Sequence, residues 1–400
     1  VQLLNVPQQG SATLHALAAC SSCTRLAGYF FYELPVGCLA GPAQLSRLTS
    51  LRLTGGRAGI RKQLQQLLAL PLPLQQLEAY VLDIRDVTST VVTRLPSLAH
   101  LTQVTELILT QDLSKTAALP PQLQALHLSE CRHLAPVLEL QQLQRLTLCP
   151  EYTTAEQQRQ VLQLAKLPSL QELQLSYRFF WAAAAAAPTW ALLPQLRGLI
   201  VERFMTTVYR MDAPEQQHIA AALAGAAAAT QLTSLQLGSR CLDLPLLQQQ
   251  PQLAMPVCGS LTGLSGLRYS KLQAMKLVHG DALALTALTG LTRLDLCNFQ
   301  DGFGVGAANE LVRKLKHLAH LELRCGGIDL GSNAFLAAVG QLKQLKYLCL
   351  EGIDGLTEQG LMQLTGLQHL QQLHVDRNEE VVKVTAELLS RLWAAVRQQQ

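Results

Sequence analysis

Apolar positions along this chain recur in one phrase: an aliphatic residue, two others, an aliphatic residue, one other, and a closing aliphatic residue. It reads LSRLTSLRL at Leu48, LTQVTELIL at Val104 and LQQLQRLTL at Leu143. It returns as LTGLTRLDL, LKHLAHLEL, LKQLKYLCL and LQHLQQLHV toward the C-terminus. The closing pair has period two, so both side chains fall on one face of a β-strand. The residues between them face the other way and are mostly polar: Arg52, Glu106, His127, Gln174, Gln236, Asp295 and Glu322. One such strand cannot bury its apolar face alone. Parallel neighbours stacked in register can, and a unit repeated at this spacing is the mark of a solenoid.

The first aliphatic residue of each phrase marks the register. The marks fall at Leu48, Leu77, Val104, Leu123, Leu143, Leu170, Leu196, Leu232, Leu272, Leu291, Leu318, Leu345 and Leu370. Leu26 opens a degenerate unit, and the first three residues read as the tail of another, so an upstream part of the protein is expected before Val1. A helical reading competes locally, because LTGLTRL spaces leucines by threes. The constant closing LxL favours the strand.

The segments between phrases need apolar residues of their own to close the core, and Phe335, Leu336, Val339 and Leu342 supply them in one unit. Thr357 or Ser332/Asn333 are placed to cap short helices there. Shorter units predict 3₁₀ or extended returns. Two stretches break the pattern: one near residues 177–193, with alanine at every position from Ala182 to Ala187, and one near 238–270, with QQQPQ at Gln248–Gln252. Both are predicted to project from the stack or to be irregular repeats. Val381, Val384, Leu388, Leu392 and Val396 share one helical face. The organisation expected is an α/β solenoid over residues 1–380, with a capping helix and tail over 381–400.

Composition narrows the function. Aromatic residues are 5% of the 400 residues and the net charge is +4, with basic residues scattered. No basic block calls for nucleic acid. No apolar run reaches the roughly 18–20 residues of a membrane helix. The ten cysteines show no pairing pattern and read as reduced thiols of an intracellular protein. Cys20 and Cys23 form a lone CxxC without a second pair, so no zinc site is expected. GFGVG at Gly302–Gly306 lacks the Lys and Ser/Thr of a phosphate loop, and no other catalytic motif is present.

Outward strand positions become strongly polar toward the C-terminus. Arg293 and Asp295 are followed by His320, Glu322 and Arg324, then Tyr347, Cys349 and Glu351, then Gln372, His374 and Asp376. Strands about 4.8 Å apart would merge these into one patch. Earlier units at the same positions are blander, as in Ala125, His127 and Ser129. His317 and His320 stand an odd number apart and read as an accidental pair.

At these residues the chain resembles the leucine-rich repeat family. LKYLCLEGIDGLTEQGLMQLTGL is similar to the cysteine-containing, ribonuclease-inhibitor-like repeats of F-box proteins, and Ala- and Gln-rich leucine-rich chains of green algae share its composition. The family's turn position, Asn or Cys, holds Cys131, Asn378 and Asp112 in three units but Gly56, Gly280 or Gly326 elsewhere, so the side-chain ladder of the family is largely missing. The resemblance implies a curved horseshoe, a parallel sheet on its concave face, and short helices or 3₁₀ turns on its convex face. It implies a cytoplasmic, non-enzymatic scaffold, monomeric on its own, that binds a partner protein on the concave sheet. The binding residues would be Arg293, Asp295, His320, Glu322, Arg324, Tyr347, Glu351, His374 and Asp376, with no cofactor, metal, nucleic acid or membrane. Two alternatives follow from the same likeness: the substrate-recognition arm of a ubiquitin ligase whose F-box lies upstream, and a structural protein of the cytoskeleton or ciliary axoneme.

Overall fold

A computed structural model describes residues 2–3, 22–30, 46–55, 73–81, 97–109, 113, 116–129, 133–149, 162–177, 180–203, 213–239, 256–273, 277–299, 304–328, 331–353, 355–375 and 386–398. The chain divides into two compact units, Val1–Ser176 and Tyr177–Gln400. In each, short strands lie side by side in chain order, and described returns hold short helices or 3₁₀ turns.

The first unit carries β1 (Gln2–Leu3), β2 (Arg25–Phe30), β3 (Ser50–Gly55), β4 (Gln76–Val81), β5 (Glu106–Leu109), β6 (Ala125–Leu128), β7 (Arg145–Leu148) and β8 (Glu172–Tyr177), whose last residue opens the second unit. Each pairs in parallel with the next. The second unit carries β9 (Gly198–Arg203), β10 (Ser234–Ser239), β11 (Tyr269–Gln273), β12 (Arg293–Phe299), β13 (His320–Ile328), β14 (Tyr347–Ile353) and β15 (Gln372–Val375), paired in the same way.

The recurring phrase turns out to contain two structures. Its first part is a single 3₁₀-like turn: the Leu291 N–H donates to the Leu288 carbonyl at 3.0 Å, and Leu345 to Leu342 at 2.9 Å. Residues three apart eclipse in such a turn, so leucines spaced by threes stack on its inner side. The chain then extends into the strand, and the period changes to two. Leu294, Leu296, Leu321, Leu323, Leu348 and Leu350 are all buried, none more than 2% exposed.

Between turn and strand, two successive amides of one repeat donate to a single carbonyl of the preceding repeat. Thr49 and Ser50 share the Thr24 oxygen at 2.9 and 3.0 Å. Thr292 and Arg293 share that of Arg268, and Lys346 and Tyr347 that of Ala319. The backbone amides at the entry to each of these strands are thus satisfied by the backbone of the preceding repeat.

Strand pairing corrects three register marks. Leu77 aligns with Leu51, so the mark of its unit is Leu74. Leu26 also aligns with Leu51, which makes Cys23, buried at 7% exposure, the first apolar position of its unit. Leu272 aligns with Leu237 and Ser270 with Leu235, so that unit starts at Leu267. Ser270 fills a leucine slot and is fully buried, which hid the phrase.

In the second unit the returns are mainly helical: α2 (Phe180–Trp190), α3 (Ala213–Ala228), α4 (His279–Leu285), α5 (Val305–Lys314), α6 (Asn333–Val339) and α7 (Glu358–Met362), after α1 (Ala135–Leu138) in the first. The alanine run does not project. It is α2, packed against α3, with Ala183, Ala186, Ala187 and Trp190 buried. Small side chains let two helix backbones approach closely; a Cβ on Gly225 of α3 would lie 2.7 Å from the Ala187 carbonyl oxygen. Of the second irregular stretch, 240–255 lies outside the described residues, and Cys258–Gly263 is a 3₁₀ return. Thr357 caps α7, accepting from the Gly360 N–H at 3.0 Å, and Ser332 caps α6, accepting from Phe335 at 3.4 Å. The last helix, α8 (Ala386–Gln398), packs on the final return and buries Leu388, Leu392 and Val396; Val381 and Val384 lie outside the described residues.

Adjacent returns are tied by Asp281, fully buried in the first turn of α4. One carboxylate oxygen accepts from the Val257 and Cys258 amides at 2.6 and 2.7 Å, and the other from the Val278 amide at 2.9 Å. Three backbone donors satisfied by one carboxylate explain how a charged group sits among leucines. Among the described residues, no helix is long and apolar enough to cross a membrane.

Candidate functional site

The outward positions of β11 to β15 form three rows across the second unit. Tyr269, Arg293, His320, Tyr347 and Gln372 align in the first row. Lys271, Asp295, Glu322, Cys349 and His374 align in the second, and Gln273, Cys297, Arg324 and Glu351 in the third. Parallel pairing without register change over these positions puts long polar side chains within diagonal reach of one another.

Asp295 is the hub. It is 1% exposed, although it points away from the leucine core, because neighbouring side chains close over it. Arg293 donates to its Oδ2 from Nη2 at 2.8 Å and from Nε at 3.0 Å, with Nε also 3.2 Å from Oδ1. The Tyr269 hydroxyl donates to Oδ2 at 3.1 Å, and the Arg293 guanidinium lies over the Tyr269 ring, 4.7 Å from its centroid. His320 approaches from the next strand, its Nε2 3.3 Å from Asp295 Oδ1.

Glu322 is the second hub. Its Oε1 pairs with Arg324 Nε at 2.6 Å and accepts a weak contact from the Cys297 thiol at 3.6 Å. Its Oε2 lies 3.7 Å from His320 Nε2. Arg324 reaches on to Glu351 of β14 at 3.0 Å. The rings of His320 and Tyr347 stack, and His374 tilts against Tyr347 at 5.4 Å between centroids. His320 Nε2 is buried and aligned with neither carboxylate for a hydrogen bond.

The electrostatics follow from this crowding. Burial, then the Arg293 charge, lowers the His320 pKa below its ordinary value, and the pull of Asp295 and Glu322 does not overcome them. Its imidazole is therefore neutral at pH 7. Burial pushes the Cys349 thiol up to about 11 and the Cys297 thiol up to about 12, with Glu322 adding to both. Both stay thiols at neutral pH, weak nucleophiles. Cys23, Cys258, Cys297 and Cys349 form no disulfide.

Of the nine residues named from the sequence, Arg293, Asp295, His320, Glu322, Arg324, Tyr347 and Glu351 join one network, and His374 touches its edge through Tyr347. Asp376 lies outside the described residues. His317 sits in the turn before β13, apart from His320. Tyr269 escapes the sequence pattern, because a mark at Leu272 displaces the strand; the phrase LSGLRYSKL carries the correct register once Ser270 is allowed in a leucine slot. The first unit is also less bland than its sequence suggests. There Arg52 pairs with Glu78, and Glu106 accepts from Gln76 at 2.7 Å and from Arg145 at 2.5 Å. Arg145 spans β6 because small Ala125 stands between them in register. No protein-family model matches the chain, and no curated protein matches it.

Proposed function

We propose that this protein is a non-enzymatic interaction scaffold of the leucine-rich-repeat kind, and that a partner protein docks on the outward face of β11 to β15. The observation that supports the reading is the joined network from Tyr269 to Glu351, which presents Arg293, Arg324 and Glu351 to solvent and is held in place before any partner arrives. Fixing long side chains on docking costs about 0.5–1.5 kcal/mol each, and a surface already ordered by its own contacts avoids most of that. Tyr and Arg are the side chains that anchor interfaces best, since each joins a large contact area to a directional polar group.

The test is a comparative capture. The chain carrying Arg324→Glu with Glu351→Arg, both about half exposed, is compared with wild type and with Arg145→Glu in the first unit. The expected result is a partner retained by wild type and by Arg145→Glu but lost by the double variant, whose thermal unfolding matches wild type. Equal retention by all three, or retention of nothing, contradicts the reading.

A further inference from the structure

The structure assigns a divalent-metal site to Asp295, His320 and Glu322, with a transition ion of the zinc type as its ligand. This goes beyond the partner reading and replaces the expectation, from sequence, that the chain has no metal ligands. The three donor atoms lie within 4.8 Å of one another. His320 Nε2 stands 3.3 Å from Asp295 Oδ1 and 3.7 Å from Glu322 Oε2. Ligands about 2.0–2.1 Å from a tetrahedral zinc ion are roughly 3.3–3.4 Å apart, so these separations need only small adjustment to share one ion.

The outer contacts leave one oxygen of each carboxylate beside the imidazole. Arg293 and Tyr269 both engage Oδ2 of Asp295, which leaves Oδ1 turned to His320 with only the longer Arg293 Nε contact. Arg324 engages Oε1 of Glu322 and leaves Oε2 turned to His320. Stacking on Tyr347 fixes the imidazole plane. Nε2 is buried without a hydrogen-bond partner, an unfavourable arrangement that coordination would resolve. Outer partners that orient ligating carboxylates and imidazoles are what built metal sites have. A neutral imidazole with two carboxylates suits zinc, cobalt or manganese, and three protein ligands leave a fourth position for water or for a carboxylate or imidazole of an incoming protein. The two guanidinium groups oppose a dication. Both are more than two-fifths exposed, and Arg324 has Glu351 as a second anion, so their charge is partly neutralised elsewhere.

The experiment is a titration of the chelator-stripped full chain with Co²⁺, followed by displacement with Zn²⁺. One equivalent of Co²⁺ should give visible d–d bands of tetrahedral type without the near-ultraviolet thiolate band that cysteine ligation would produce. Affinity should fall at least about tenfold in His320→Ala and in Glu322→Gln, each still unfolding cooperatively, and stay unchanged in His374→Ala. A thiolate band at one equivalent, absence of binding, or full retention of the ion by His320→Ala overturns the assignment. The wild-type spectrum decides for or against the site even where a variant folds poorly, and the outcome does not depend on whether a partner protein is captured.

Discussion

The imidazole of His320 and the phenol ring of Tyr347 lie face to face across β13 and β14, with centroids 4.0 Å apart and planes within 2°. Such a pair contributes about 0.5–1.5 kcal/mol beyond its area. Tyr347→Ala should lower stability by about that amount plus the lost burial, and Tyr347→Phe should restore most of it. Denaturant midpoints of the three proteins measure the difference. A phenylalanine variant as unstable as the alanine one would assign the effect to the hydroxyl and not to the stack.

Removing Asp281 should be far more damaging than removing any outward carboxylate. Asp281→Ala leaves the Val257, Cys258 and Val278 amides without their acceptor. Hydrogen bonds to a charged group contribute about 1.5–3 kcal/mol each, so a loss of at least about 3 kcal/mol is expected. Asp281→Asn should recover part of it, since its one carbonyl oxygen can still accept from Val257 and Cys258. Urea unfolding of both variants is the measurement.

Two glycines in helices should respond oppositely to alanine. At Gly225 the new methyl meets the Ala187 backbone and side chain, and overpacking of about 1–3 kcal/mol outweighs the gain in helix propensity. At Gly306, in α5, a Cβ meets nothing within 4 Å, so alanine should stabilise by about 0.5–1 kcal/mol. Thermal unfolding that moved in the same direction for both would contradict the close approach of α2 and α3.

Alkali should unfold the protein through groups that are buried in their protonated form. Burial raises the Cys258 thiol well above its ordinary 9.0, with Asp281 adding to the rise, and burial raises Tyr177 far above 10.0. In the unfolded chain both release their protons at ordinary pH, while in the native chain they hold them. The unfolded state then binds fewer protons, and stability falls as pH rises, by about 1.4 kcal/mol per unit per group. The melting temperature should be level between about pH 7 and 9 and decline above that range. Cys258→Ala should lessen the decline above pH 9 and leave the share of Cys297, Cys349 and Tyr177.

What the sequence disclosed followed from period. Leu294 and Leu296, or Leu321 and Leu323, are readable because alternation and burial are the same fact seen twice. Cys23 and Ser270 were not, because a small residue in an apolar slot carries no hydrophobic signal. The polar patch was legible as a set of outward positions, but not the depth of Asp295, which depends on side chains from three strands closing over it. Asp281 was invisible for a related reason: its partners are backbone amides of its own and the neighbouring return, and amides leave no trace in residue identity. The alanine run marked a break in the pattern, which is the helix α2. It did not reveal that smallness is what lets the helix pack.

The shared carbonyl between turn and strand is held by two main-chain amides; a threonine there, as at Thr49 and Thr292, adds its hydroxyl to the same oxygen, but the main chain makes the staple without it in other repeats. At Gln75, Gln144, Lys346 and Gln371 the exposed side chain takes no part in the staple, and the amides beneath these residues bond alike. Fluorophores or spin labels attached there would report on each repeat separately while leaving the architecture beneath them undisturbed.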